Sequence, residues 1–164
     1  MEGNCQDNYL LLHQNKLTQQ FAYLNEKGEI IIAYGKYQIY YTDTFRTLAI
    51  VKDMKKGLIA IDRNENYLFN LVDDGSNFIS DSMIRIIEGK KIGYADINGK
   101  IIIKPQYKCA YPFSNGSALV SMKCKEMKRQ GKLITGLHNF NYINKSGEMI
   151  MPPRQNTKAI DIIK

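Results

Sequence analysis

Two histidines, three cysteines and a scatter of carboxylates are the residues that could do chemistry, and their spacing argues against most of it. His13 and His138 lie far apart, and neither has a partner at metal-ligand spacing. Cys5, Cys109 and Cys124 show none of the close spacings of zinc or redox motifs. Their odd number argues against a disulfide framework and leaves buried thiols, or one bridge between Cys109 and Cys124. Asp73-Asp74-Gly75-Ser76-Asn77, with Asp81 beyond, has the composition of a calcium loop. It lacks the ligand spacing and the closing Glu of such a loop, and we read it as a turn. Gly131-Lys132-Leu133-Ile134-Thr135-Gly136 is not followed by the Lys-Ser or Lys-Thr of a phosphate loop. No serine sits in a nucleophile elbow. The expectation is a chain without catalytic residues, cofactor or metal.

The remaining polar pattern is structural. Asp62 and Asp96 recur with Asn25 and Asn144 at one place in a repeated unit. Phe21-Ala22-Tyr23-Leu24-Asn25-Glu26-Lys27-Gly28-Glu29-Ile30-Ile31-Ile32 is one copy. Ile92-Gly93-Tyr94-Ala95-Asp96-Ile97-Asn98-Gly99-Lys100-Ile101-Ile102-Ile103 is the fullest, and residues 140–151 form another. A degenerate copy runs from Leu58 to Phe69. Anchored on positions 23, 60, 94 and 142, the steps are 37, 34 and 48 residues, the range of repeat architectures.

Each part of the unit has a mechanical reason. Residues before the turn alternate, so that Phe21, Tyr23 and Asn25 share one strand face, as do Ile92, Tyr94 and Asp96. An Asp or Asn three places before Gly suits a type I turn, its side chain accepting backbone N–H and the glycine supplying positive φ. The aliphatic run after Gly, such as Ile101-Ile102-Ile103, reads as a returning strand buried on both sides, stopped by Pro105. Pro153 stands at the same place in the last copy. Phe113-Ser114-Asn115-Gly116-Ser117-Ala118-Leu119-Val120, with counterparts at 78–86 and 45–51, adds an aromatic anchor, a turn and a further strand. The fold read from these units is all-β: tandem antiparallel hairpins stacked as a twisted array, with little helix.

At these residues the pattern resembles the WG-repeat proteins of bacteria, whose unit runs Trp-Gly-Tyr-Ile-Asp, turn, Gly, aliphatics, Pro, then Phe-Ser-x-Gly-x-Ala-x-Val. The likeness spans about residues 21–153, as units at 21–51, 58–87, 92–120 and 140–153. The signature Trp is replaced by Phe21, Leu58, Ile92 and Phe140, and its Gly survives as Gly93. The resemblance implies repeat-mediated binding rather than a reaction.

Residues 1–20 read as a polar N-terminal segment or a short helix around Tyr9–Leu17, and 154–164 as a C-terminal tail. The third step is lengthened by a basic insertion at 122–138, with Gln130-Gly131 at a hairpin tip. Lys plus Arg number 23 against 16 Asp plus Glu, a net charge of +7. Lys123, Lys125, Lys128, Arg129 and Lys132 make a candidate cationic finger for an acidic partner or anionic surface ligand. Tyr34, Tyr37, Tyr40 and Tyr41 are candidate exposed contacts, an apolar ring with a polar tip. Nucleic acid is the lesser candidate, because no aromatic platform or major-groove helix is evident. No apolar run reaches membrane-spanning length. The chain is expected in the cytoplasm, or exported if a leader precedes Cys5. The expected function is a non-enzymatic binding module. The competing expectation is a regulatory or accessory domain of an enzyme, effector or toxin with its chemistry elsewhere.

Overall fold

The computed structural model describes residues 9–123, 125–129, 132–136 and 140–151, with 125–129 and 132–136 given by their backbone alone. Among them there is no helix. A leading strand, β1 (Leu10–Gln14), precedes the first unit. That unit runs β2 (Phe21–Leu24), β3 (Ile30–Ile32), β4 (Ile39–Tyr40), β5 (Thr44–Phe45) and β6 (Leu48–Asp53). The second comprises β7 (Gly57–Asp62), β8 (Tyr67–Leu71), β9 (Ile79–Ser80) and β10 (Met83–Glu88). The third comprises β11 (Lys91–Asp96), β12 (Ile101–Tyr107), β13 (Cys109–Ala110) and β14 (Ser117–Ser121). A ribbon of β15 (Lys125–Arg129) and β16 (Lys132–Gly136) leads into β17 (Asn141–Asn144) and β18 (Met149–Ile150) of the fourth.

The recurrent Asp or Asn builds the same turn four times. Oδ1 of Asn25 accepts from the N–H groups of Lys27 and Glu29, and Oδ1 of Asp96 from those of Asn98 and Lys100, all at 2.9–3.0 Å. Asp62 and Asn144 repeat the arrangement. The fourth turn residue has positive φ, at Gly28, Gly99 and Gly147, and in the degenerate unit at Glu65 with φ 62°. A side-chain acceptor holding two backbone donors, closed by a left-handed residue, is what the local sequence selects.

No unit owns its own sheet. The last strand of one unit pairs with the first of the next, as β6 with β7, β10 with β11 and β14 with β17, all antiparallel. The returning strand and a short strand flank that central pair. The third sheet, β13-β14-β17-β18, has this form, and so does the first, β3-β2-β1-β5. The longest sheet runs β12-β11-β10-β8-β7-β6-β4, with β9 on β10. It is two such four-stranded blocks joined where Ile86 pairs with Leu71 and Ile87 with Asn70.

Three cores fill the spaces between these layers. Leu10, Tyr23, Ile32, Tyr37 and Phe45 meet Ala49, Val51, Ile59 and Ile61 in the first. The alternate residues of the same two strands, Leu48, Ile50, Leu58 and Ala60, point the other way and meet Phe69, Leu71, Ile84, Ile86 and Ala95 in the second. Period-two alternation with both faces covered explains why β6 and β7 each carry four consecutive buried residues. The third core holds Met83, Tyr94, Ile103, Tyr107, Phe113, Val120 and Ile143 among others. Contacts also skip a unit. Thr47 Oγ1 donates to the Ile97 carbonyl at 3.1 Å, and Lys145 Nζ lies 3.0 Å from Asp81. In both cases the second turn of one unit meets the hairpin turn of the unit two further on.

The structure corrects four expectations. The N-terminal segment around Tyr9–Leu17 forms no helix: β1 stands beside β2 as though it were the last strand of a preceding unit, and also pairs with β5. The returning strands are not buried on both sides. Ile30 and Ile31 are 55% and 44% exposed, Ile101 and Ile102 45% and 37%, and Met149 and Ile150 74% and 38%. They are exposed because β3, β12 and β18 end their sheets. Pro105 does not stop β12, which continues to Tyr107, since an end strand tolerates a residue without N–H. Cys109 is half-buried and disulfide-bonded rather than a buried thiol, while Cys5 and Cys124 lie outside the described residues.

Candidate binding surface

Two tyrosines are fully buried in the cores, and the partners of their hydroxyls recur. Tyr23 Oη donates to the Thr42 carbonyl at 2.5 Å, and Tyr94 Oη to the Tyr111 carbonyl at 2.7 Å. Each ring meets a phenylalanine edge-to-face, Phe45 at 5.2 Å and Phe113 at 4.8 Å between centroids. Burial pushes both phenols well above the usual tyrosine range. Ala60 stands at this place in the second unit, in a core that is aliphatic apart from Phe69 and the flanking Phe78. These tyrosines hold the array together, and a neutral buried phenol with a satisfied hydroxyl has no chemistry left to offer.

Three of the four candidate tyrosines are less exposed than expected, and Tyr41 is exposed. Tyr37 is 8% exposed, packs in the first core and donates to Glu65 Oε2 at 3.5 Å. Burial, with the nearby Glu65 charge, pushes its phenol up to about 12. Tyr40 is half-buried against Tyr23 and Tyr37, its hydroxyl accepting from the Tyr37 N–H at 3.3 Å. Tyr34 is half-buried with its hydroxyl 2.6 Å from His13 Nδ1. Tyr41 is 41% exposed, with one ring face against Phe78. The connection after β3 folds Tyr37 and Tyr40 back toward Tyr23, so two of these tyrosines become packing.

Lys123 is exposed just beyond β14. Lys125, Lys128 and Arg129 lie on β15 and Lys132 on β16, with Arg129 opposite Lys132. The basic residues thus fall on one two-stranded ribbon whose tip, Gln130 and Gly131, lies outside the described residues, as does His138. The ribbon forms its own sheet, apart from the one that holds β4 and Tyr40. Tyrosines and basic residues therefore belong to different parts of the array.

Asp74, read as a turn residue, does more. It accepts from both terminal nitrogens of the buried Arg85 at 2.8 and 2.9 Å, and Arg85 also donates to Ser76 Oγ and the Ala110 carbonyl. The Arg85 hydrogen bonds hold the Asp74 carboxyl well below the usual carboxylate range. Asp81 accepts from the Gly116 N–H at 2.6 Å and meets Lys145. The bonds from Arg85 to Ala110 and from Gly116 and Lys145 to Asp81 are joints between units. Among the described residues no group of three His, Cys, Asp or Glu side chains is placed to hold a metal. No helix among them is long and apolar enough to cross a membrane.

The exposed aliphatic residues on the returning strands went unrecognised in the sequence. Ile30 and Ile31, Ile101 and Ile102, and Met149 and Ile150 hold the same two places in their units, on strands with one side unpaired. The readable signal was Pro105, because proline inside an aliphatic run belongs to a sheet's end strand.

Gly93 explains one feature of the third unit. On β11 the pairing steps from Ile92–Tyr107 to Tyr94–Ile103, so β12 carries extra residues across the glycine. A Cβ there would lie 2.3 Å from the Ile103 carbonyl oxygen and 2.6 Å from the Pro105 nitrogen. Comparison with known proteins falls on this unit. No curated protein and no solved structure matches the chain. Residues 92–123 match the family model described as WG containing repeat, so the stretch beginning at Ile92-Gly93 is similar to that repeat and a WG-repeat family is the one the match supports.

Proposed function

We propose that this repeat-containing module is a non-enzymatic scaffold that holds an extended segment of a protein partner along its returning-strand edges. The observation that carries the reading is the recurrence of paired exposed aliphatic residues at the ends of three sheets. An end strand presents unpaired N–H and C=O groups, and proteins ordinarily guard such edges with charge or proline. Here the guard is partial: Pro105 and Lys104 follow two exposed isoleucines on β12, whereas β3 consists of three isoleucines. Backbone pairing to such an edge supplies affinity, and outward aliphatic side chains supply selectivity.

The test separates this edge from the basic ribbon. The full chain, an Ile101→Lys/Ile102→Thr variant and a Lys128→Ala/Arg129→Ala variant are each used to capture partners from a native lysate at low and high salt. Loss of the same bound protein with the edge variant, at both salt concentrations and with the ribbon variant unaffected, is the expected result. Retention by the edge variant together with salt-sensitive loss by the ribbon variant refutes the edge and favours an anionic ligand on the ribbon.

A further inference from the structure

The returning-strand edge of the third unit differs from the others in charge. Lys100 stands just before β12, Lys104 within it and Lys108 just after it, and all three are exposed. Among the described residues none of the three meets a carboxylate. Lys91 brings a further ammonium beside the strand, its Nζ donating to the Gln106 carbonyl at 3.1 Å. In the first and fourth units the place of Lys100 is held by Glu29 and Glu148. Each of those carboxylates is tied to its own turn, accepting from the Asn25 or Asn144 amide at 2.7 and 2.8 Å. Neither β3 nor β18 carries a lysine.

A groove of about 300 Å³ lies between β12 and β8. Ile101 and Pro105 line it from β12 and Tyr67 and Phe69 from β8, and Glu88 is its one charged residue. A carboxylate there repels acidic side chains and leaves the groove to a large apolar one. Lysines on a sheet edge ordinarily guard it against pairing. A guard of one sign is selective. It turns away further copies of this chain, whose net charge is +7, and draws in acidic chains.

We propose that β12 takes an acidic extended segment of a protein partner, paired along its outer edge. Carboxylates of that segment lie against Lys100, Lys104 and Lys108, and a large apolar side chain enters the groove beside Ile101 and Pro105. The inference rests on the edge-binding reading above and adds to it the partner's chemistry and the unit that selects it.

The experiment is fluorescence anisotropy of the full chain with a labelled peptide that alternates glutamate with valine around a central leucine. Two control peptides accompany it. One carries glutamine for every glutamate, and the other has its central amides N-methylated, which removes the donors a paired strand needs. The acidic peptide should bind roughly tenfold or more tightly than the glutamine peptide at low salt, and the difference should shrink at high salt. Lys104→Glu/Lys108→Glu should abolish that preference, and Lys128→Ala/Arg129→Ala should keep it. Equal binding of the acidic and glutamine peptides overturns the acidic preference and leaves edge binding standing. An N-methylated peptide bound as tightly as the acidic one overturns edge binding itself, and this proposal with it. Loss in the ribbon variant with retention in the β12 variant moves the acidic segment to β15 and β16 and also refutes the assignment. Absence of measurable binding by the acidic peptide counts against it equally.

Discussion

Replacing Gly93 by alanine tests the array at its tightest point. Elsewhere in a strand, glycine to alanine stabilises by about 0.5–1 kcal/mol. Here the added methyl falls 2.3 Å from the Ile103 oxygen, 2.6 Å from the Pro105 nitrogen and 2.8 Å from the Lys104 carbonyl carbon. All three are backbone atoms, so no rotamer change can yield. To reach an ordinary contact of 3.4 Å, β12 must retreat by 3.4 − 2.3, or 1.1 Å. That retreat breaks the pairing on either side of the glycine, at about 1 kcal/mol for each of two hydrogen-bonded positions. It also loosens Ile103 and Tyr107 in the third core, worth ~1–2 kcal/mol together. With the intrinsic alanine gain subtracted, the variant should lose about 3 kcal/mol, lowering the urea midpoint by roughly 1–2 M. Ala22→Gly is the control, since Ala22 holds the same place in the first unit and β3 pairs no further than Tyr23. Ala22 is fully buried, so the control should lose the propensity difference and the burial of one methyl, about 1–2 kcal/mol together. A Gly93→Ala protein as stable as the parent would mean that β12 does not cross β11 there.

The turn chemistry and the Arg85 joint give two further tests. Asp96→Ala removes the acceptor for two backbone N–H groups and should destabilise by about 1 kcal/mol in chemical denaturation. Asp96→Asn, the residue used at 25 and 144, should change stability by less than about half of that. The Asp74 carboxyl is held below its unfolded value, so its contribution is complete above about pH 4 and fades as pH falls through and below the carboxylate range. Asp74 is about half exposed, so the effect is screened. Thermal melts of Asp74→Asn should therefore lie below the parent by about 1 kcal/mol at neutral pH and converge with it in acid; a constant gap at every pH refutes the assignment.

The repeat was legible because its turns are chemical. Asp or Asn followed by a left-handed residue dictates the hairpin locally, without help from the rest of the chain. Tyr94 and Phe113 were legible as packing residues for a similar reason, since each lies at a fixed place relative to a turn. The sheet ends were not legible. Whether a returning strand is covered depends on what the neighbouring unit brings, and β8 gains a neighbour in β10 where β3 and β12 gain none. Tyr37 was misread as exposed because no short-range pattern shows an irregular connection doubling back over Tyr23. Arg85 and Asp74 are 11 residues apart in the chain, on a strand and a bend of one unit, and only the folding of that unit brings the half-exposed carboxylate onto the buried guanidinium.

Because each sheet is shared between consecutive units, the boundaries of the repeat in the chain and the seams of the solid are out of phase. A truncation that starts cleanly at Ile92 would part β11 from β10 along the whole of Met83–Glu88 and leave a half-sheet on either fragment. Shortened versions that stay folded should instead start one strand earlier, carrying the last strand of the unit they discard, much as roof tiles are lifted with the lap of the course above.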